Sequence, residues 1–249
     1  MLTSIRSLAA ATLLAGTALV ATPALADQTD PPGEFTISGD VSLVSDYRFR
    51  GISLSDGSVA VQGSINVGHA SGFYVGTWAS SIEDSPVYGH TEVDLFAGWS
   101  GDIAPGLTAD VGVTYFVYPN GRVGKANYWE PYASLSAALG PVTAKVGVAY
   151  AWDQKSLGSD DNLYIYTDLE AGIPDTPITL AAHLGYTDGA LSPEVLTGKG
   201  TGGGFDWSLG ASFAITPNLS IGATYVGVEG NSFKRFSNDT VVATLSLSF

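Results

Sequence analysis

The sequence predicts an all-β protein: a transmembrane antiparallel up-and-down β-barrel of about twelve strands behind a cleaved signal peptide. Three observations predict it. A long two-faced alternation recurs along the chain, connections alternate between short and long, and aromatic residues gather at two levels.

The chain opens MLTSIRSLAAATLLAGTALVATPALA. Arg6 is the charged start, Leu8 to Ala21 the apolar core, and Ala24-Leu25-Ala26 the small-residue cleavage pattern. Residues 1–26 therefore read as a secretory signal peptide cut before Asp27, and residues 27–249 as one domain. No later run reaches about 18 consecutive apolar residues, so no transmembrane helix is expected. Yet a hydrophobic content of 45% and a mean hydropathy of +0.20 are high for an exported soluble chain, and lipid-facing strands would account for both. The absence of cysteine excludes disulfide staples, thiolate metal sites, a Cys nucleophile and a lipidated Cys anchor. A net charge of −14 has the wrong sign for binding nucleic acid.

Strand one is read from Glu34 to Gly51, EFTISGDVSLVSDYRFRG. Its odd positions, among them Phe35, Ile37, Val41, Leu43, Tyr47 and Phe49, form an apolar face with aromatics at both ends. Its even positions, among them Asp40, Asp46, Arg48 and Arg50, are polar or charged almost throughout. Side chains alternate faces along a strand, and soluble strands rarely hold such a pattern beyond about five or six residues. Lipid on one side and water on the other explain the length.

The remaining strands follow in order. After Asp27 to Gly33, a polar leader, and strand one, ISLSDGS turns the chain. Strand two runs from Val59 to His69, with Val59, Val61, Ile65 and Val67 on one face. Strand three starts at Phe73, its facing ambiguous between Phe73 with Val75 and Tyr74 with Trp78. The polar stretch SIEDSPVYGH reads as a loop before strand four, Thr91 to Ser100, whose Glu92, Asp94, Phe96 and Gly98 point inward. Strand five covers Leu107 to Tyr118 and strand six Tyr128 to Leu139. Strand seven covers Val142 to Asp153 with Lys145 inward, and strand eight Leu163 to Ile173 with Tyr164, Tyr166, Asp168 and Glu170 inward. Strand nine is Ile178 to Thr187 with His183 inward, then come Phe205 to Ile215, Leu219 to Val228 and Thr240 to Phe249.

Every second connection is short: ASG, GDIAPG, GP, PDTP and TPN. The others are mostly longer, polar and Gly-rich, the asymmetry of short periplasmic turns against long external loops. Tyr47, Tyr115, Tyr150, Tyr186 and Tyr225, with Trp129 and Trp207, would form an outer aromatic girdle. Phe35, Phe73, Trp99, Phe213 and Phe249 would form the inner one. VVATLSLSF alternates up to Phe249, like the terminal strand that the barrel assembly machinery reads. Two open edges in lipid would be costly, so the first and last strands should pair.

Three stretches carry a family likeness: VSDYRFRGISLSDG from Val44 to Gly57, GFYVGTWASSIE from Gly72, and HTEVDLFAGW from His90. Together they resemble the N-terminal signature of the TorF-type porin family of proteobacterial outer membranes. The specific likeness covers Val44 to Trp99, and beyond that it is architectural. It implies an outer-membrane β-barrel with a pore role, no known substrate and no catalytic residues to carry over.

Parity places Asp40, Asp46, Glu92, Asp94, Asp110, Glu130, Asp168, Glu170 and Asp206 inside, with Arg48, Arg50 and Lys145. Half-buried charges need partners, so Arg48 and Arg50 should pair with some of these carboxylates. Two readings stay open: a salt-bridge network that fills the barrel, or a constriction whose opposed charges orient permeating solutes, the acidic excess then favouring cations. The expected function is passive diffusion of small hydrophilic solutes across the bacterial outer membrane. The expected partners are outer-membrane lipids, the assembly machinery, and those solutes or ions. The barrel would be monomeric or trimeric. A plugged structural or ligand-binding barrel is the alternative, its external loops Asp188 to Gly204 and Phe233 to Phe236 being candidate contacts. A hydrolase is the rival class, resting on His183 with Ser208 and Asp206, since His69 lies at a periplasmic turn. A single inward His is more often a hydrogen-bonded filler. His90, Glu92 and Asp94 share a face and could hold a metal, though a polar wall is the simpler reading. Gly198 to Gly204 lacks the spacing of a phosphate loop and reads as an external loop. No cofactor is implied.

Overall fold

Period-two alternation favours extended chain wherever one strand face meets a nonpolar medium and the other a polar one. The computed structural model describes residues 34–200 and 202–249, and twelve of its strands close into one antiparallel barrel. The signal peptide expected over residues 1–26 and the leader from Asp27 to Gly33 lie outside the described residues.

In chain order the strands are β1 (Phe35–Val44), the two-residue β2 (Arg48–Phe49) and β3 (Ile52–Ser53), β4 (Ala60–His69), β5 (Phe73–Ser85) and β6 (Gly89–Ala104). Then come β7 (Leu107–Val117), β8 (Tyr128–Leu139), β9 (Val142–Gln154), β10 (Asp160–Gly172) and β11 (Ile178–Gly189). A one-turn helix α1 (Pro193–Leu196) precedes β12 (Gly204–Ala214), β13 (Leu219–Val228) and β14 (Thr240–Ser248). Each wall strand pairs with the next in the chain, β1 pairing directly with β4.

Strands β1 and β14 close the ring, in register from Asp40 against Ser248 to Val44 against Thr244. Phe249 extends the seam: its N–H donates to the Gly39 carbonyl and its carbonyl accepts from the Gly39 N–H, both at 3.0 Å. A β-carbon at Gly39 would overlap the Phe249 ring, so the glycine makes room for the terminal aromatic. The predicted pairing of first and last strands is therefore present, and no wall strand keeps an open edge.

The wall's outer face is apolar all round, from Ile37 (70% exposed) to Leu209 (65%). An apolar belt of this extent is stable in lipid and not in water. Among the described residues no helix is long and apolar enough to cross a membrane. Tyr115 stacks on Trp129 at 4.3 Å and Tyr186 meets Phe205 at 4.9 Å, at the level of Tyr150 and Tyr225 in the expected outer girdle. Phe73 sits opposite Trp99 in the inner one. The short connections, 70–72, 105–106, 140–141, 173–177 and 215–218, share one rim.

Two expectations are corrected and one open point is resolved. Strand one ends at Val44 instead of running to Gly51, and the segment beyond it turns into the bore. Tyr47 is consequently buried inside instead of joining the outer girdle. The stretch SIEDSPVYGH is mostly strand, because β5 continues to Ser85 and β6 starts at Gly89. The ambiguity of strand three resolves with Phe73 and Val75 outward and Ser80 buried inside.

Candidate functional site in the barrel lumen

Pairing of β1 with β4 reaches up to Val44 against Ala60, so residues 45–59 leave and rejoin the wall at adjacent points. They fold into the bore. Strands β2 and β3 pair Arg48 with Ser53 and Phe49 with Ile52, leaving Arg50-Gly51 as a two-residue loop. Both loop residues have positive φ, 49° and 80°, as a type I′ turn requires. Asp46 ties the segment to itself. Its carboxylate accepts from Arg48 Nε at 2.5 Å, Ser53 Oγ at 2.6 Å and Ser55 Oγ at 3.1 Å. Arg48 Nη1 donates further to the carbonyls of Gly51, Phe236 and Asn238.

The tip crosses the lumen. Around the ring, β8 and β10 lie opposite β1 and β4. Arg50 Nη2 nevertheless lies 2.7 Å from Glu130 Oε2 on β8, and its guanidinium stands 4.1 Å over the Tyr164 ring of β10 and 4.7 Å over Phe49. A non-glycine residue in the left-handed region costs about 1–3 kcal/mol. Such a cost fits an arginine kept there for what it contacts.

Apolar packing seals the hairpin on two sides. Phe49 meets Phe116, which stacks on Tyr128 at 4.4 Å, with Ala151, Leu157 and Leu191 around them. Tyr47 packs on Trp78 at 5.3 Å, among Val44, Ala60, Val226 and Val242. Burial of large apolar side chains stabilises by about 1.5–3 kcal/mol each, so the hairpin is well anchored. The half of the bore toward the long connections is thereby filled.

Beside the hairpin stand Glu92 and Asp94, each 1% exposed. The Tyr47 hydroxyl donates to Glu92 Oε1 at 3.4 Å. Among the described residues Glu92 Oε2, both Asp94 oxygens, Glu130 Oε1 and Thr114 Oγ1 have no hydrogen-bond partner. Buried polar groups without partners are expensive, and charged ones more so.

The other half of the lumen is a polar vestibule whose Tyr132, Tyr164 and Asp110 are buried and whose Tyr74 and Tyr166 are half-buried. Its tyrosines lie flat on the wall because glycines stand beside them. A β-carbon at Gly98 would overlap Tyr74, one at Gly112 Tyr132, one at Gly147 Tyr166 and one at Gly185 Tyr164. The Tyr74 and Tyr132 hydroxyls meet, and Tyr74 donates to Asp110 at 2.6 Å. Asp168, Glu170 and Lys145 are half-buried here, Lys145 Nζ lying 5.8 Å from the Tyr166 ring centre. Near the short-turn rim Asp40 accepts from Ser64. The acidic excess thus extends through the vestibule.

His183 is held by Asp168 at Nδ1 (2.5 Å) and by Asp206 (3.0 Å) and Tyr164 (2.7 Å) at Nε2. Neither nitrogen is free to take a proton from Ser208, and the geometry gives no nucleophile–base pair. His90 is exposed at the rim, apart from the buried Glu92 and Asp94. Among the described residues no group of His, Asp and Glu is placed to hold a metal ion.

The residues expected inside are reached by two routes. Asp46, Arg48 and Arg50 enter on the hairpin, while Asp40, Glu92, Asp94, Asp110, Glu130, Lys145, Asp168, Glu170 and Asp206 enter by wall parity. The expected arginine partners are Asp46 for Arg48 and Glu130 for Arg50. Tyr47, Tyr74, Thr114 and Tyr132 were not anticipated. The signal for the tyrosines was there: inward Tyr beside inward Gly on the next strand.

Residues 28–249 match the family described as bacterial protein of unknown function (Gcw_chp). No curated protein matches the sequence. Among solved structures the fold is similar to the NanC porin in a rhombohedral crystal form, with a TM-score of 0.59 at 15% identity, over 85% of this chain and 98% of that one. It is also similar to the KdgM porin, with a TM-score of 0.57 at 11% identity over 85% and 98%. KdgM in complex with disordered oligogalacturonate gives 0.55 at 10% identity over 86% and 97%. At these identities the likeness is one of fold.

Proposed function

We propose that this chain, which belongs to the bacterial Gcw_chp family of unknown function, is a porin-like channel of the outer membrane for small hydrophilic solutes, preferring cations. The observation that carries the proposal is the acid-rich lumen inside a closed barrel with an apolar exterior. Rings of charged side chains set the sign of the ion a pore favours, and here carboxylates outnumber their cationic partners. The fold likeness to the NanC and KdgM porins supports a channel and leaves the solute open. Export by residues 1–26, lipid around the apolar belt, and insertion by the assembly machinery through the strand ending at Phe249 complete the proposal. The resemblance of Val44 to Trp99 to TorF-type porins agrees with it.

The filled half of the bore favours a second reading, a barrel that stays closed and binds ligands at its vestibule or loops. Proteoliposome swelling separates the two. Vesicles containing the folded protein should swell in small neutral solutes and amine salts faster than protein-free vesicles. Identical swelling rates would leave the closed barrel as the better account.

A further inference from the structure

We infer that residues 45–59 are a gate and that the ion pair of Arg50 with Glu130 is its latch. Closing it covers a group of carboxylates, Glu92, Asp94 and Glu130, which a permeating cation meets once the tip moves. The inference rests on the channel reading above.

The hairpin is built to move as one body. Asp46, Arg48, Ser53 and Ser55 hold it together internally. Its ends adjoin at Val44 and Ala60, with Ser45 still bonded to Ala243 of β14, so displacing the tip beyond Ser45 leaves the β1–β4 and β1–β14 pairing intact. Its near side is tied by backbone bonds, Ser53 N–H to the Phe236 carbonyl and Glu83 N–H to the Leu54 carbonyl, both at 2.8 Å. The far tip is held by side chains alone, Arg50 on Glu130 and Tyr164 and Phe49 on Phe116. That asymmetry puts the hinge at the near wall and the latch at the far one.

The latch is also incomplete. Arg50 Nε and Nη1 and Glu130 Oε1 have no hydrogen-bond partner among the described residues, nor do Asp94 and one oxygen of Glu92 beside them. Burial of unpartnered charge opposes the closed arrangement, while the apolar seals favour it. Opposed contributions of this kind are what a switching element needs. An Asn-Gly loop would form this turn without strain, yet Arg50 occupies it and supplies the contact across the bore.

The chain has no cysteine, so a single introduced thiol reports the gate cleanly. Ala151 is fully buried in the cluster that Phe49 joins. In refolded Ala151→Cys protein, a cationic methanethiosulfonate should react slowly. Adding Arg50→Ala, or the isosteric Glu130→Gln where the first variant folds poorly, should raise the rate at least about ten-fold. The open fraction in planar bilayers should rise with it. An unchanged rate in both double variants overturns the gate. A barrel with residues 46–57 replaced by a short Gly-Ser turn separates the two ideas. If it conducts while the labelling rate is unmoved, the gate alone fails; if it is folded and silent, the channel reading fails and the gate with it.

Discussion

Arg50 and Glu130 meet across the whole bore, Nη2 to Oε2 at 2.7 Å, both side chains almost wholly buried. Removing one partner of such a pair leaves an uncompensated charge, at a cost of up to about 3–5 kcal/mol. Arg50→Ala should therefore lower the temperature at which the folded band is lost in a heat-modifiability gel. Arg50→Ala with Glu130→Gln should recover part of the loss. Additive losses would show that the pair is not coupled.

The lipid face gives a sharper contrast between neighbours. Val146 is 55% exposed on the outer wall and Lys145 faces the lumen. A cationic side chain near the bilayer midplane costs about 2–4 kcal/mol. Val146→Arg should impair membrane assembly, scored by the folded fraction in vesicles, far more than Lys145→Gln. Equal effects would contradict the facing of β9.

The vestibule sets the sign of selectivity. Asp110 and Glu170 lie in its wall without arginine partners, so Asp110→Asn with Glu170→Gln should shift the reversal potential toward zero. The single-channel conductance should change less, because the side-chain volumes are kept. An unchanged reversal potential would assign selectivity elsewhere.

The tyrosine-over-glycine wall is testable by one β-carbon. Gly112→Ala should push the Tyr132 ring off the wall and separate its hydroxyl from Tyr74. Overpacking typically costs about 1–3 kcal/mol, and the displaced ring should narrow the vestibule. Lower conductance with a lower melting temperature is the expected pair of results. Wild-type values for both would mean that the wall yields freely.

The wall was legible in the sequence wherever lipid imposes the alternation. The expected bounds of Tyr128 to Leu139 and Leu219 to Val228 are those of β8 and β13, and Glu92, Asp94 and Phe96 face inward as parity requires. Beyond the apolar belt both faces of a strand meet polar surroundings, so Ser81 to Ser85 lost the pattern while the strand continued. The hairpin escaped for the opposite reason. A strand folded into the bore alternates just as a wall strand does, and Asp46, Arg48 and Arg50 kept the period of β1 through the departure. Only Arg50-Gly51, with positive φ at both residues, marked the reversal, and arginine disguised a loop usually made by Asn-Gly. The cross-bore pairing of Arg50 with Glu130 depends on that reversal, so its partner was not readable from strand parity alone.

Reversal potential in a planar bilayer under a salt gradient tests the central claim most directly. Folded protein, or its hairpin-shortened form, should give discrete channels with a reversal potential biased toward cations. Anion-biased channels, or silence from both folded forms, would contradict a cation-preferring channel with an acidic lumen.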